Sequence, residues 1–239
     1  MLVEICANSF RSAQNAQNAG ADRIELCSEL AVGGITPSYG LISHVLNKLN
    51  IPTHILIRPR GGDFCYNNDD FEIMKQDIEM CKSLGAKGIV SGVLNPDFSI
   101  DIDRTITLIN LSRPMNFTFH RAFDLVSNPF KGLKQLEKMG VSRVLTSGQA
   151  PTAIEGLSLL KTLQNDFKGI IIPSAGINCE NIKQFKLSGF KEIHFSASVQ
   201  QPKKFKQNLP LNSIKDFDET TQTYTDTLLV TQMISLLHE

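Results

Sequence analysis

Apolar positions along the chain follow two periods, an alternating one in short segments and a helical one in the longer segments between them. The short segments predict strands at 2–6, 22–27, 53–58, 87–93, 115–120, 142–147, 169–174 and 191–196. The longer segments predict helices at 9–19, 37–49, 69–84, 101–112, 129–139, 152–165, 179–188 and 223–237. Gly20, Gly85, Gly140 and Gly189 each stand between a helical segment and a strand, where a left-handed residue ends a helix.

Eight strands that alternate with eight helices predict an α/β protein with a parallel sheet. For a chain of 239 residues we expect a closed (β/α)8 TIM barrel in a single domain. The barrel is predicted over 1–198, and a C-terminal loop and helix over 199–239. An open doubly wound sheet is the alternative, but no glycine-rich phosphate motif follows the first strand. The polar segment 199–222 lacks a clear period, and loops of that length are usually functional lids or disordered.

Composition narrows the possible partners. The formal net charge is +0, which disfavours nucleic acid and anionic membranes as electrostatic partners. No apolar run approaches the roughly 20 residues that cross a bilayer, and the chain starts directly with a strand, so we expect a cytoplasmic protein. Five widely spaced cysteines without a C-x-x-C pair predict neither a disulfide framework nor a zinc ribbon.

Polar residues are concentrated where catalysis would take place. The segment "FTFHRAFD" (117–124) ends a predicted strand in His120, Arg121 and Asp124, and in this fold the active site lies at the C-terminal ends of the strands. The strand alternation also predicts a polar lumen instead of the usual branched aliphatic one. The residues of the inward phase are Glu4, Cys6, Asn8, Arg23, Glu25, Cys27, His54, Leu56, Arg58, Arg60, Thr118, His120, His194, Ser196 and Ser198.

Two interpretations of this polar lumen stay open. Glu4 and Arg23, near the bottom, could belong to a buried ion-pair network that holds the barrel together. His120 and Arg60, at or beyond the top, favour a role in binding or catalysis. Small residues also follow the last three strands in "TSGQA", "PSAGIN" and "FSAS", so Ser147, Ser174 and Ser196 are candidates for an anion or phosphate site. Tight turns without a ligand are the alternative.

Cys6 and Cys27 end the first two predicted strands in the same inward phase. Neighbouring strands lie about 4.8 Å apart, so the two thiols should be close. A pair of thiolates suits a soft monovalent metal such as Cu(I), whereas two small buried apolar side chains are the simpler alternative.

Long motifs in the chain resemble those of a known family. "GADRIELCSELAVGGITPS" (20–38), "IRPRGGDFCY" (57–66), "FHRAFD" (119–124), "RVLTSG" (143–148) and "HFSAS" resemble the CutC copper-homeostasis family from the N-terminus to about residue 198. The resemblance implies a cytoplasmic (β/α)8 barrel, commonly oligomeric, here a dimer or tetramer, linked to copper tolerance and in some members to Cu(I) binding by cysteines. It makes Cys27 the best metal candidate, and it implies a polar pocket formed by Glu25, Arg58, Arg60, Asp63, His120, Arg121 and Asp124.

Two functions are therefore expected. In the first, the protein binds or carries copper, with Cys27 and either Cys6 or Cys65 as the Cu(I) ligands. In the second, it is an enzyme that acts on a small anionic or phosphorylated metabolite. His120 would then be the general acid/base, Glu25 a second proton carrier, and Arg58 and Arg60 the clamps for a carboxylate or phosphate.

Overall fold

Strands and helices alternate from end to end of this computed structural model, which describes residues 1–202 and 220–239. The eight strands of the main sheet are β1 (Leu2–Ala7), β2 (Arg23–Leu26), β3 (Thr53–Leu56), β4 (Gly88–Ser91), β5 (Asn116–Phe119), β6 (Arg143–Thr146), β7 (Ile170–Pro173) and β8 (Glu192–Phe195). The helices that follow them are α1 (Phe10–Asn18), α2 (Tyr39–Lys48), α3 (Asn68–Ser83), α4 (Ile102–Ser112), α5 (Pro129–Lys138), α6 (Leu157–Asp166), α7 (Ile182–Leu187) and α8 (Thr227–His238).

The strands form one parallel sheet in the order β7-β6-β5-β4-β3-β2-β1-β8. Strand β8 pairs with β1, so the last strand returns to the first, and β7 lies beside β8. Within residues 1–202 and 220–239, no ladder of hydrogen bonds joins β7 to β8. The predicted (β/α)8 TIM barrel is confirmed as a nearly closed barrel.

The core lies between the strands and the surrounding helices. The outward phase of each strand is apolar and fully buried there, as Ile5, Ile24, Ile55 and Ile193 show. The inward phase is largely polar in β1, β2, β3 and β8, as predicted, because Glu4, Arg23, Glu25, His54, Arg58 and His194 are all buried there. Leu56 and Val90 form a small apolar cluster with Cys27 on the same side of the sheet. The packing energy of the barrel therefore comes mainly from its outer layer, which leaves the lumen free to carry charged groups.

Helices α5 and α3 begin at the predicted position or within one residue of it. Asn128 caps α5 through the Lys131 N–H with Pro129 in the first turn, and Asp69 and Asp70 lie in the first turn of α3. Other boundaries were predicted wrongly. Helix α2 begins at Tyr39, capped by Ser38, instead of at 37. Helices α6 and α7 begin at Leu157 and Ile182, after turns that the sequence pattern had merged with them.

The ends of the polar segment 199–222 form regular structure, so the prediction of a loop there was wrong for the described residues. Strands β9 (Ser198–Pro202) and β10 (Thr221–Thr225) pair antiparallel, and α8 starts at Thr227 instead of 223. Residues 203–219 lie outside the described part. The hairpin is bonded to the start of the chain, because the Asn8 and Asn15 side chains donate to carbonyl oxygens of β10.

Candidate functional site

A cavity of ≈ 280 Å³ opens at the C-terminal ends of the strands. Small-molecule sites usually have volumes of about 300–1,000 Å³, so this one suits a small ligand. Eight of the predicted site residues line it: Cys6, Glu25, Cys27, Arg58, His120, Arg121, Ser174 and Ser196. His194 also lines it, and the strand alternation predicts this residue in the lumen without indicating a role for it.

Two thiols form one wall of the cavity. Cys6 is in β1 and Cys27 directly follows β2, and their sulfur atoms lie 3.5 Å apart. The inward phase of the two strands brings them together, as the spacing predicted. The hydrogen bond with Cys27, together with burial, raises the pKa of the Cys6 thiol well above its usual value. Both thiols therefore face the same cavity.

His194 connects the thiol wall to two carboxyl groups. Its Nδ1 lies 2.8 Å from Glu4 Oε1, and its Nε2 lies 3.5 Å from Glu25 Oε2. Burial alone would lower the pKa of His194, but its hydrogen bonds to Cys6 and Glu4 and the nearby carboxylates raise it. Burial raises the pKa of Glu25. Ligand atoms of Cys6, Glu25 and His194 all lie within 4.8 Å of one another, so these three residues can share a metal ion or exchange protons.

Below this cluster, an ion-pair network fills the lumen. Arg23 donates to Glu4 and to Glu192, and Arg143 Nε donates to Glu192 Oε1 at 3.0 Å. Burial would raise the pKa of Glu4, but the hydrogen bond from His194 and the charge of Arg23 hold it far below its usual range. The arrangement matches the structural interpretation of Glu4 and Arg23, with Glu4 also positioning His194.

The cavity is also lined by Arg58, His120 and Ser174, each at most 5% exposed. The guanidinium of Arg58 donates to the carbonyl oxygens of Val32, Gly34 and Gly62. The phenyl ring of Phe64 contacts both Arg58 and His120, with centroid distances of 4.9 Å and 4.8 Å. This ring shields the two polar side chains from solvent.

Three predicted site residues, Arg60, Asp63 and Cys65, lie together at the rim. Arg60 Nη2 donates to Asp63 Oδ1 at 3.0 Å and to the Cys65 carbonyl, and its Nε donates to Asp70. In the described part of the chain none of the three lines the cavity. The structure therefore separates Cys65 from the Cys6–Cys27 pair.

Asp124 organises the loops after β5 and β6. It accepts hydrogen bonds from Arg121 Nε and from the Thr146 hydroxyl and Ser147 N–H. Ser147 donates in turn to the Ala150 carbonyl. Asp124 and Ser147 thus have internal partners, and of this group only Arg121 reaches the cavity in the described residues.

A family model described as the CutC family matches residues 1–199. The chain belongs to the CutC family. A CutC protein from Proteus mirabilis (strain HI4320) is 44% identical over 239 residues, which cover 98% of this chain and 96% of that protein. Another, from Photorhabdus laumondii subsp. laumondii, is 48% identical over 197 residues, with coverage of 82% and 79%.

Solved structures agree with this assignment. A CutC structure from Streptococcus agalactiae, named as a copper homeostasis protein, has a TM-score of 0.77 and 32% identity over 82% of this chain and 98% of that chain. A 3-hexulose-6-phosphate synthase from Salmonella typhimurium is similar over 100% of this chain and 99% of that one, with a TM-score of 0.63, but at 13% identity it supports the barrel fold alone. In the described residues of this CutC chain, no helix is both long and apolar enough to cross a membrane.

Proposed function

We propose that this CutC protein binds Cu(I) between the thiols of Cys6 and Cys27 and serves copper homeostasis. The observation that carries the proposal is the separation of 3.5 Å between the two sulfur atoms at the cavity wall. Family membership supports it, because the Streptococcus agalactiae relative is named as a copper homeostasis protein.

The donor atoms fit the chemistry of this ion. Thiolates are soft ligands and select Cu(I) over the hard cations that prefer carboxylates. An imidazole nitrogen of His194 lies close enough to Cys6 to serve as a third ligand once the ring has lost a proton, because the pKa of His194 is raised. Because the pKa of Cys6 is raised, its thiol carries a proton at neutral pH, and binding must release that proton. Affinity for Cu(I) should therefore increase with pH.

Competition with a Cu(I) chelator tests the ligands one at a time. We expect Cys27→Ser and Cys6→Ser each to weaken binding by more than about 100-fold, which exceeds the cost of losing an outer hydrogen-bond partner of a ligand. Cys65→Ser is the matched control, because its sulfur lies at the rim outside the cavity, and it should keep the wild-type affinity. Equal affinities for wild type and Cys27→Ser would contradict the proposal.

A second candidate function, an enzyme that acts on a small anionic metabolite, is favoured by one observation. His194 lies between the Glu4 and Glu25 carboxyl groups, and Glu25 faces the cavity, so a proton can pass between ligand and buried network. Proton abstraction would exchange a carbon-bound hydrogen of the ligand in D₂O. Proton NMR of small carboxylic acids with the protein should show this exchange, and Glu25→Gln should abolish it. A panel with no exchange above the protein-free rate would count against the enzyme.

We also propose a cytoplasmic location and a homo-oligomer, a dimer or tetramer. Both follow from the family resemblance of the sequence motifs. Cell fractionation and light scattering of the purified protein measure the two properties directly.

A further inference from the structure

Three side chains with metal-binding atoms come from three neighbouring strands and line the cavity. Strand β1 lies between β8 and β2, and its Glu4 pairs with His194 while its Cys6 pairs with Glu25. Because Glu4 and Cys6 share one phase of β1, the alternation of side chains places Cys6, Glu25 and His194 on the same side of the sheet. All three line the cavity, and their possible ligand atoms lie within 4.8 Å of one another.

The spacing of these atoms fits a tetrahedral ion. Zinc is bound at about 2.0–2.2 Å by nitrogen and oxygen and at about 2.3 Å by sulfur, so neighbouring ligand atoms around it lie about 3.3–3.7 Å apart. His194 Nε2 and Glu25 Oε2 are 3.5 Å apart, within that range. Cys6 Sγ lies within 4.8 Å of both, so a shift of about 1 Å or less brings it into range as well.

A carboxylate holds His194 in the orientation that a metal ligand needs. His194 Nδ1 lies 2.8 Å from Glu4 Oε1, and Glu4 in turn accepts a hydrogen bond from the buried Arg23. Histidine ligands of metal ions almost always donate their second ring N–H to a carboxylate, a carbonyl group or water. The ring is thereby fixed with Nε2 towards Glu25, as an ion between these two residues requires.

The carboxyl group of Glu25 has no arginine or lysine partner among the described residues. It is 4% exposed, and its one ion-pair contact there is with His194, while the buried guanidinium of Arg23 donates to two other carboxylates. A divalent cation would neutralise the Glu25 carboxylate and the Cys6 thiolate together, which removes the cost of burying either charge alone. The ion has to displace the protons of Cys6 and His194, because the pKa of each is raised.

We infer that Cys6, Glu25 and His194 form a site for a divalent zinc ion whose fourth position is open to the cavity. A mixed set of sulfur, nitrogen and oxygen ligands suits Zn²⁺, whereas Mg²⁺ and Ca²⁺ prefer oxygen and Cu(I) prefers sulfur. Three protein ligands and an open position are typical of catalytic zinc sites, where the ion activates a bound water or polarises a ligand oxygen. The inference goes beyond the proposed function, because Glu25 replaces Cys27 in the ligand set. The two metals share Cys6 and therefore exclude each other.

Competition with a chromophoric zinc chelator, on the full chain under reducing conditions, tests this ligand set. We expect Glu25→Gln to weaken Zn²⁺ binding by more than about 100-fold, which exceeds the cost of losing an outer partner of a ligand. The same variant should keep the wild-type affinity for Cu(I), which also shows that it has folded. Cys27→Ser should have the reverse effect, because serine keeps a hydrogen-bonding group beside Cys6 but supplies no soft ligand. Cys65→Ser, at the rim, is the matched control and should keep both affinities.

Replacement of Zn²⁺ by Co²⁺ gives a second measurement, which keeps the site testable if Glu25→Gln does not fold. Bound Co²⁺ should show a thiolate-to-metal charge-transfer band in the near ultraviolet, and Cys6→Ser should abolish it. Absence of Zn²⁺ binding by the wild type, wild-type Zn²⁺ affinity in Glu25→Gln, Co²⁺ binding without the band, or a loss of Zn²⁺ binding in Cys27→Ser as large as in Cys6→Ser would each overturn the zinc site. Unchanged Cu(I) affinity in Cys27→Ser would contradict the copper proposal alone.

Discussion

His120 and His54 are imidazoles enclosed by the barrel, with 4% and 2% of their surface exposed. Burial lowers the pKa of His120 to about 3 and that of His54 to about 4, from the usual 6.5. Between these values and 6.5 the folded protein binds fewer protons than the unfolded chain, so the free energy of unfolding falls as the pH decreases. Each histidine contributes up to about 1.4 kcal/mol per pH unit to that fall.

Replacing one of these histidines measures its share of the pH dependence of the free energy of unfolding. In His120→Gln the free energy of unfolding should fall less steeply between about pH 6 and pH 4.5, by up to about 1.4 kcal/mol per pH unit. Urea unfolding at several pH values measures the slope. His44→Gln, on the exposed surface of α2, is the control for loss of an imidazole. A slope in His120→Gln equal to that of the wild type would mean that His120 is protonated in the fold.

Among the elements, the strands were the most predictable. Alternation in "LVEICA" and "RIEL" was enough to place Glu4, Cys6 and Glu25 in the lumen, because side chains of a strand point alternately to its two sides. The hairpin was not predictable, because "SVQQP" has no apolar phase and pairs mainly through its backbone. Helix starts at Leu157 and Ile182 were also missed, since apolar residues of the preceding turns continue the helical period.

The ion pairs across the lumen could not be predicted from the sequences of the strands either. Arg143 and Glu192 belong to β6 and β8, which are not neighbours in the sheet, and their contact depends on the stagger of the closed barrel. The same holds for the carbonyl oxygens that occupy most donors of Arg58, since a sequence does not show where loop carbonyls point. The separation of Cys65 from the other two thiols depends on the path of the same loop.

For the molecule as a whole, Glu192 connects strands on both sides of the gap between β7 and β8. No described ladder joins β7 to β8, and Glu192 of β8 instead accepts hydrogen bonds from Arg23 of β2 and Arg143 of β6. Glu192→Gln leaves these buried cations without their shared carboxylate. Loss of one partner of a buried ion pair costs about 3–5 kcal/mol, and we expect a loss of that size.

Denaturant unfolding measures the loss, and amide hydrogen exchange locates it, with faster exchange expected in β7 and β8. Glu79→Gln, on the exposed side of α3, changes the same charge and should stay within about 0.5 kcal/mol of the wild type. A loss of unfolding free energy in Glu192→Gln as small as that of the control would show that the contact between β7 and β8 does not depend on this carboxylate.

The pairing of Pro202 with Thr221 has a consequence for how the chain can be altered. Pro202 and Thr221 lie side by side, so the number of residues that join them has little influence on the strands and helices on either side. The entropic cost of a longer connection rises only by about 0.6 kcal/mol for each doubling of its length. A fluorescent protein or affinity tag spliced between these two positions would therefore report on a CutC barrel whose cavity is left intact.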